Sequence, residues 1–442
     1  MSPERRPSTR PRLLWADDAG QVYDHPQLLA AGWDGQALRP LEARGGMPAP
    51  DGLQLAYLPG RCPVGLDPRT GHAVELCEVR LHGRALRPHA VAGVPPPGHV
   101  RHLLPAAEAG RGAPPLPLRA YTAVGFHRGG VLCALSRLDP HTHWDPARFR
   151  LPDWGARLTR FRTRFPRNRV VAQLARCVTE YGCCTASNLF LGAYEAGLPT
   201  APRCNARCRG CISESDGPVP SPQVRLDAAP PLAHIVEVAV HHLSHARPAM
   251  VSFGQGCEGE PLTEAARIVE ALRAIRRRTS RGTLHMNTNG SRPEAVEALA
   301  QAGLQSVRVS LASARPRAFR AYHRGDFSLA EVEEFATRAA ARGLWVAFNL
   351  LSLPGHTDRP EELEALVGLL ERSGAHMLQV RNLDLDPRPG GPWPPRAGGA
   401  PLGMRAFLRA LTRRRPGLEL GCFNRFREEW PGQFVDRPGG LR

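Results

Sequence analysis

The chain has 442 residues, of which 42% are hydrophobic and 22% charged; at roughly 150 residues per domain this suits two or three globular domains, or one large barrel with an appendage. All 58 basic residues are arginine, which excludes the lysine of a P-loop nucleotide site and the Schiff-base lysine of a pyridoxal enzyme. The net charge of +17 favours a polyanionic partner, but abundant Ala, Gly, Pro and Arg without lysine reads as the codon usage of a GC-rich genome, so nucleic acid is left only as an open partner.

Residues 1–165 are rich in Pro and Gly and broken into short runs. LQLAYLP (53–59), AVELCEVRLH (73–82) and AYTAVGFHRGGVLCALSRL (120–138) predict strands, with a hairpin turn at Arg128-Gly129-Gly130. This region reads as a mainly β accessory domain. The HTHWDP segment (141–146) near its end predicts a polar turn rather than a two-histidine metal site. The N-terminal apolar run is only Leu13-Leu14-Trp15 and no segment approaches the ~18 apolar residues of a membrane span, so a cytoplasmic location is expected.

PRNRVVAQLARCVTEYGCCTAS (166–187) predicts one helix within a connector, 166–198. From 199 the texture becomes a regular alternation. Helices are expected over 230–246, 262–278, 293–303, 328–343 and 360–374. Strands are expected over 249–256, 282–290, 306–312, 344–355 and 376–386, with a further strand near 199–203. Successive βα units imply a parallel sheet with right-handed crossovers. About six such units are too few for a closed eight-fold barrel and predict an open, partial (β/α)6 TIM-like barrel over 199–390, with its site at the C-terminal strand ends. The segment 391–442 would add an edge helix (403–415) and strand (418–422).

Eleven cysteines without a secretory signal argue against a disulfide framework and for metal or thiol chemistry. The sharpest feature is RCNARCRGC, which places Cys204, Cys208 and Cys211 in a C-x3-C-x2-C spacing. Three thiolates in one loop can hold three irons of a [4Fe–4S] cluster and leave the fourth open to a small molecule. Structural zinc would want a fourth ligand and paired C-x2-C knuckles, which are missing.

This loop, followed by βα repeats, resembles the radical S-adenosylmethionine (radical SAM) enzymes over about residues 199–390. QGCEGEPL (255–262) is similar to that family's Gly-Gly-Glu-Pro segment after the second strand, and NTNG (287–290) to a tetrapeptide at the end of its third. The resemblance implies an enzyme with a [4Fe–4S] cluster on Cys204, Cys208 and Cys211, bound S-adenosylmethionine, and hydrogen abstraction from a peptide, protein or small molecule. It implies cofactor contacts from Gly259, Glu260, Asn287, Asn289, Ser310 and Asn349, and a reduced electron donor such as flavodoxin or ferredoxin. The chain departs from the pattern twice. Gly210 stands where an aromatic residue commonly covers the adenine, so another residue such as Ile212 must serve. Glu258 replaces the first glycine of the Gly-Gly-Glu-Pro segment.

Other features have plainer expectations. Cys257 reads as a small semi-buried side chain. Cys177, Cys183 and Cys184 fit no spacing for a second cluster. His241 and His245 share a helix face that is expected to be solvated. Arg381, Asn382 and Asp384 at the end of the last core strand predict substrate recognition or a salt-bridged rim. Two rival readings stay open: an RNA-modifying radical SAM enzyme, and a zinc-stabilised binding protein without catalysis.

Overall fold

The computed structural model of the protein describes residues 10–81, 83–215, 217–386 and 399–431; the expected segment 391–442 lies partly outside these. The chain divides into two compact units: residues 1–140 with 352–363 and 381–413, and residues 141–351 with 364–380 and 414–442.

The first unit is antiparallel. Ten strands form one sheet, and three small sheets of two or three strands accompany it. Alternation sends side chains to two covered faces: Leu14, Ala16, Val91, Val124, Cys133 and Leu135 make one core cluster, and Leu13, Trp15, Leu28 and Leu76 another. The expected hairpin joins Thr122–His127 to Gly130–Cys133 with His127 opposite Gly130. Its two-residue turn has positive φ at both Arg128 (47°) and Gly129 (83°), the primed geometry that matches strand twist. The predicted strand 73–82 is instead two short ones, Ala73–Glu75 and Val79–Leu81. Leu76 carries the break, its amide donating to the Pro63 carbonyl as it turns into a core cluster.

The second unit holds a seven-stranded sheet, in chain order throughout. We number its strands β1 (Tyr194–Gly197), β2 (Ala249–Phe253), β3 (Thr283–Thr288), β4 (Ser306–Leu311), β5 (Trp345–Ser352), β6 (Met377–Asn382) and β7 (Glu419–Gly421). Pairing is parallel from β1 to β5 and again between β6 and β7. A helix follows each of β2 to β5, as expected of a partial barrel. The seventh strand is the edge strand expected near 418–422. One face of the sheet carries Leu284, Met286, Val307, Val309, Val346, Phe348 and Leu350, all fully buried. Gly290 sits between Val309 on this face and Val332 and Phe335 of the helix Leu329–Ala341. The opposite face carries polar side chains such as His285, Ser306 and Gln379 beside an apolar cluster of Trp345, Ala347 and Met377 with Trp430. That split is the strand period of two acting across the sheet.

Three expectations are corrected. The first strand is Tyr194–Gly197, not 199–203, because the Thr200 and Ala201 amides turn from the sheet to the Glu258 carboxylate. The helix expected over 166–187 is two, Arg169–Tyr181 and Cys184–Leu191. Gly182 ends the first in the left-handed region (φ 59°), where glycine is favoured. A further helix, Pro316–His323, was not expected. It starts with Pro at its first position and is short and arginine-rich, which hides its apolar stripe of Phe319, Tyr322 and His323. Among the described residues no helix is long and apolar enough to cross a membrane.

Candidate functional site

The cysteine loop leaves the C-terminal end of β1 and is tied down on all sides. The Arg207 and Arg209 amides donate to the His323 and Tyr322 carbonyls, each at 3.0 Å, so the end of helix Pro316–His323 receives the loop. Asn289, just past β3, donates from Nδ2 to Asn205 Oδ1 (2.8 Å), and Asn205 donates to Ser291 Oγ (2.8 Å). Within this frame the three thiols converge. Burial and then the neighbouring Cys211 and Cys204 push the Cys208 thiol up, and burial does the same to Cys204. Sulfurs so placed are poor free anions and suit a cationic centre that takes their charge. Among the described residues, no three His, Cys, Asp or Glu side chains close around a single metal ion. Three cysteines in one loop suit a cluster with one thiolate per iron, whereas mononuclear zinc would want a fourth ligand.

The segment after β2 braces the loop. Glu258 is 3% exposed and accepts four backbone hydrogen bonds: Thr200 N (2.7 Å) and Ala201 N (2.8 Å) on one oxygen, Gly254 N (2.6 Å) and Gln255 N (2.9 Å) on the other. One carboxylate thus fastens the approach to Cys204 onto the end of β2. Burial pushes this carboxyl up to about 7, against the downward pull of those amides. Next to it, a Cβ on Gly259 would lie 2.0 Å from the Arg203 carbonyl oxygen and 3.0 Å from Cys204 N. Only a residue without a side chain lets the two segments meet.

Glu260 is equally buried. Its carboxylate accepts from Leu262 N (3.0 Å) and from the Thr288 hydroxyl on one oxygen, and from Asn289 N (2.8 Å) on the other. It therefore caps the 3-10 turn Pro261–Glu264 and holds the NTNG segment in one stroke. Replacing Glu260 with alanine strands buried donors and is expected to lower stability by roughly 2 to 5 kcal/mol. An unchanged melting temperature with weakened S-adenosylmethionine binding would show instead that the carboxylate serves the ligand.

The other expected contacts separate into two kinds. Asn287 and Asn289 are engaged within the protein. Asn287 donates to the Phe253 carbonyl (3.0 Å) and its Oδ1 meets His285 Nε2 at 3.1 Å. Ser310 and Asn349 are register partners on β4 and β5, and Asn349 Oδ1 is a buried acceptor with no partner in the protein. An orphaned acceptor on the polar face is a position where a ligand donor would be welcome.

Sequence reasoning missed the polar floor of this sheet. Asn424 donates to the Glu195 carboxylate (3.0 Å), Gln255 donates to Glu195 (3.3 Å), Gln379 donates to Asn424 (2.9 Å), and Arg308 donates to Gln379 (3.2 Å). A lone glutamate in the Tyr194–Gly197 strand was the signal available. His241 was expected on a solvated face but packs edge-on against Phe161 and Phe165. Asn382, which belongs to the first unit, donates to the His99 carbonyl (2.8 Å) and accepts from Arg101 N (2.9 Å). Cys177 and Cys257 are both buried, and Gln173 Nε2 donates to the Cys177 sulfur (3.8 Å).

Comparison with known proteins bears on the same segment. Residues 198–369 match the model of the Radical SAM superfamily. FeMo cofactor biosynthesis protein NifB of Klebsiella pneumoniae is 26% identical over 209 residues, which is 44% of this chain and 44% of that protein. Among solved structures, Streptococcus suis SuiB bound to S-adenosylmethionine aligns with 14% identity over 54% of each chain, TM-score 0.36. Methylornithine synthase PylB aligns with 12% identity over 61% of this chain and 74% of its own, TM-score 0.37. Residues 198–369, with the three-cysteine loop at their head, are a radical SAM domain.

Proposed function

We propose that the protein is a radical SAM enzyme in which Cys204, Cys208 and Cys211 each ligate one iron of a [4Fe–4S] cluster and the fourth iron takes S-adenosylmethionine. The placing of three half-buried thiols on one loop fastened to the C-terminal strand ends carries this reading. When bound, the reduced cluster and S-adenosylmethionine supply reductive cleavage of a carbon–sulfur bond and abstraction of a hydrogen atom from substrate. The chain's own part is orientation. Glu258 and Gly259 hold the loop against β2, Asn205 and Asn289 hold it against β3, and Ser310 and Asn349 present polar atoms to the ligand. The Gly259 carbonyl is left for the ligand's ammonium group, because the Glu260 carboxylate and carbonyl are both occupied by the protein. The hydrogen-bonding floor of Glu195, Asn424, Gln379 and Arg308 fits a polar substrate. A low-potential reductant, such as flavodoxin or ferredoxin, would feed the cluster.

Anaerobic reconstitution tests the reading. The protein should turn brown and hold about four irons per chain. Colourless protein that retains zinc would overturn it. Because Cys177, Cys183, Cys184 and Cys257 match no spacing for a second cluster, we expect none. A count near eight, halved in a Cys183→Ala/Cys184→Ala protein, would contradict that expectation.

A further inference from the structure

Among the described residues two side chains reach the sulfur of a ligand cysteine: Ser213 Oγ, from within the loop itself, lies 3.6 Å from Cys211 Sγ, and the other comes from a separate helix. His323 Nδ1 lies 3.4 Å from Cys208 Sγ. Its ring is 2% exposed and is held between Phe319 (centroids 4.3 Å), Tyr322 (5.0 Å) and Phe327 (6.1 Å). The backbone fixes the spacing independently. Arg207 N donates to the His323 carbonyl, Arg209 N to the Tyr322 carbonyl, and Arg324 Nε to the Arg207 carbonyl at 2.7 Å. Ring and loop are thus gripped on both sides of the contact. The other ring nitrogen, Nε2, is buried with no partner.

The direction of the hydrogen bond follows from the chemistry of the partner. A metal-bound cysteine sulfur has no proton and can only accept. The imidazole must then donate from Nδ1, which leaves Nε2 as a bare lone pair. The opposite tautomer would bury an unpaired N–H and set two lone pairs against each other. Hydrogen bonds to ligand sulfurs are among the factors that set iron–sulfur reduction potentials, because they stabilise the extra negative charge of the reduced state.

Resting on the cluster reading above, we propose that His323 is a positioning residue whose Nδ1–H donates to the Cys208 sulfur and raises the reduction potential of the cluster. His323→Phe keeps an aromatic ring in the cage and removes the donor. His323→Asn keeps a donor at the Nδ1 position. Both would be reconstituted anaerobically, assayed for iron, and titrated electrochemically with the reduced signal followed by electron paramagnetic resonance. The Phe protein is expected to hold wild-type iron with its midpoint moved negative by about 59 mV, tenfold in the one-electron equilibrium. The Asn protein should recover most of that shift. A Phe protein with wild-type iron and an unchanged midpoint would overturn the proposal. So would equal shifts in both variants, since the cage rather than the donor would then be responsible. Should the Phe protein fail to fold, the wild type decides. With histidine labelled with nitrogen-15, the reduced cluster should show hyperfine coupling to a ring nitrogen, and its absence overturns the proposal. Wild-type protein that takes up no iron–sulfur cluster would instead defeat the reading on which this rests.

Discussion

Substituting alanine for Cys204, Cys208 or Cys211, one at a time, is expected to abolish the intact cluster and every activity that depends on it while leaving the fold in place. The loop does not owe its shape to the thiols. Its backbone is fixed by Arg207 and Arg209 on the helix Pro316–His323, by Glu260 N on the Arg203 carbonyl, and by Asn205 on Asn289. Loss of one sulfur removes one ligand of three, with no fourth cysteine in the loop to replace it. Alanine also relieves the burial of a thiol, so melting temperatures of the iron-free proteins should stay within a few degrees of wild type. Iron content and the melting curve, measured on the same preparations, check the two halves. A single variant that kept wild-type iron would remove that cysteine from the ligand set.

Glu258→Ala should have the largest structural effect of any single substitution in the site. Four backbone amides share this carboxylate, two from the approach to the cysteine loop and two from the end of β2. Truncation leaves all four buried without an acceptor, at ~1–3 kcal/mol each. Partial relaxation and entry of water reduce the sum, but a loss of roughly 4 to 8 kcal/mol is comparable to the whole stability of a typical domain. We expect insoluble protein, or soluble protein that binds no iron because Thr200 and Ala201 have let go of β2. Glu258→Gln should be milder, since one oxygen remains to serve one pair of amides while the new amide group faces the other pair. Alanine protein that melted like wild type would show that the brace is dispensable.

The sequence-legible part of the site is local. The C-x3-C-x2-C spacing lies within eight residues, and the strand and helix alternation from β2 onward rests on near-neighbour periodicity. Both could be read along the chain, and the core elements fell close to their expected bounds. What stayed hidden depends on pairs far apart in sequence. Glu258 meets Thr200 across 58 residues, His323 meets Cys208 across 115, and Asn424 meets Glu195 across 229. No spacing rule links such positions. Glu258 was visible only as a departure from a glycine, and its four amides explain the exchange: the side chain supplies a fastening between β1 and β2. Glu260 was expected at the ligand because its place in the segment suggested it, whereas burial turned its carboxylate to Thr288 and Asn289. The first strand was misplaced for a related reason. Residues 199–203 lie outside any strand, because the Thr200 and Ala201 amides bond to a side chain and not to a neighbouring strand.

The central claim is that the three-cysteine loop holds an open cluster that cleaves S-adenosylmethionine. The most direct measurement is the formation of 5'-deoxyadenosine by anaerobically reconstituted protein given S-adenosylmethionine and dithionite, beside a Cys204→Ala/Cys208→Ala/Cys211→Ala protein treated identically. The account predicts steady formation by the wild type and none above background by the triple variant. Equal amounts from both, or none from wild-type protein shown to carry four irons, would contradict it.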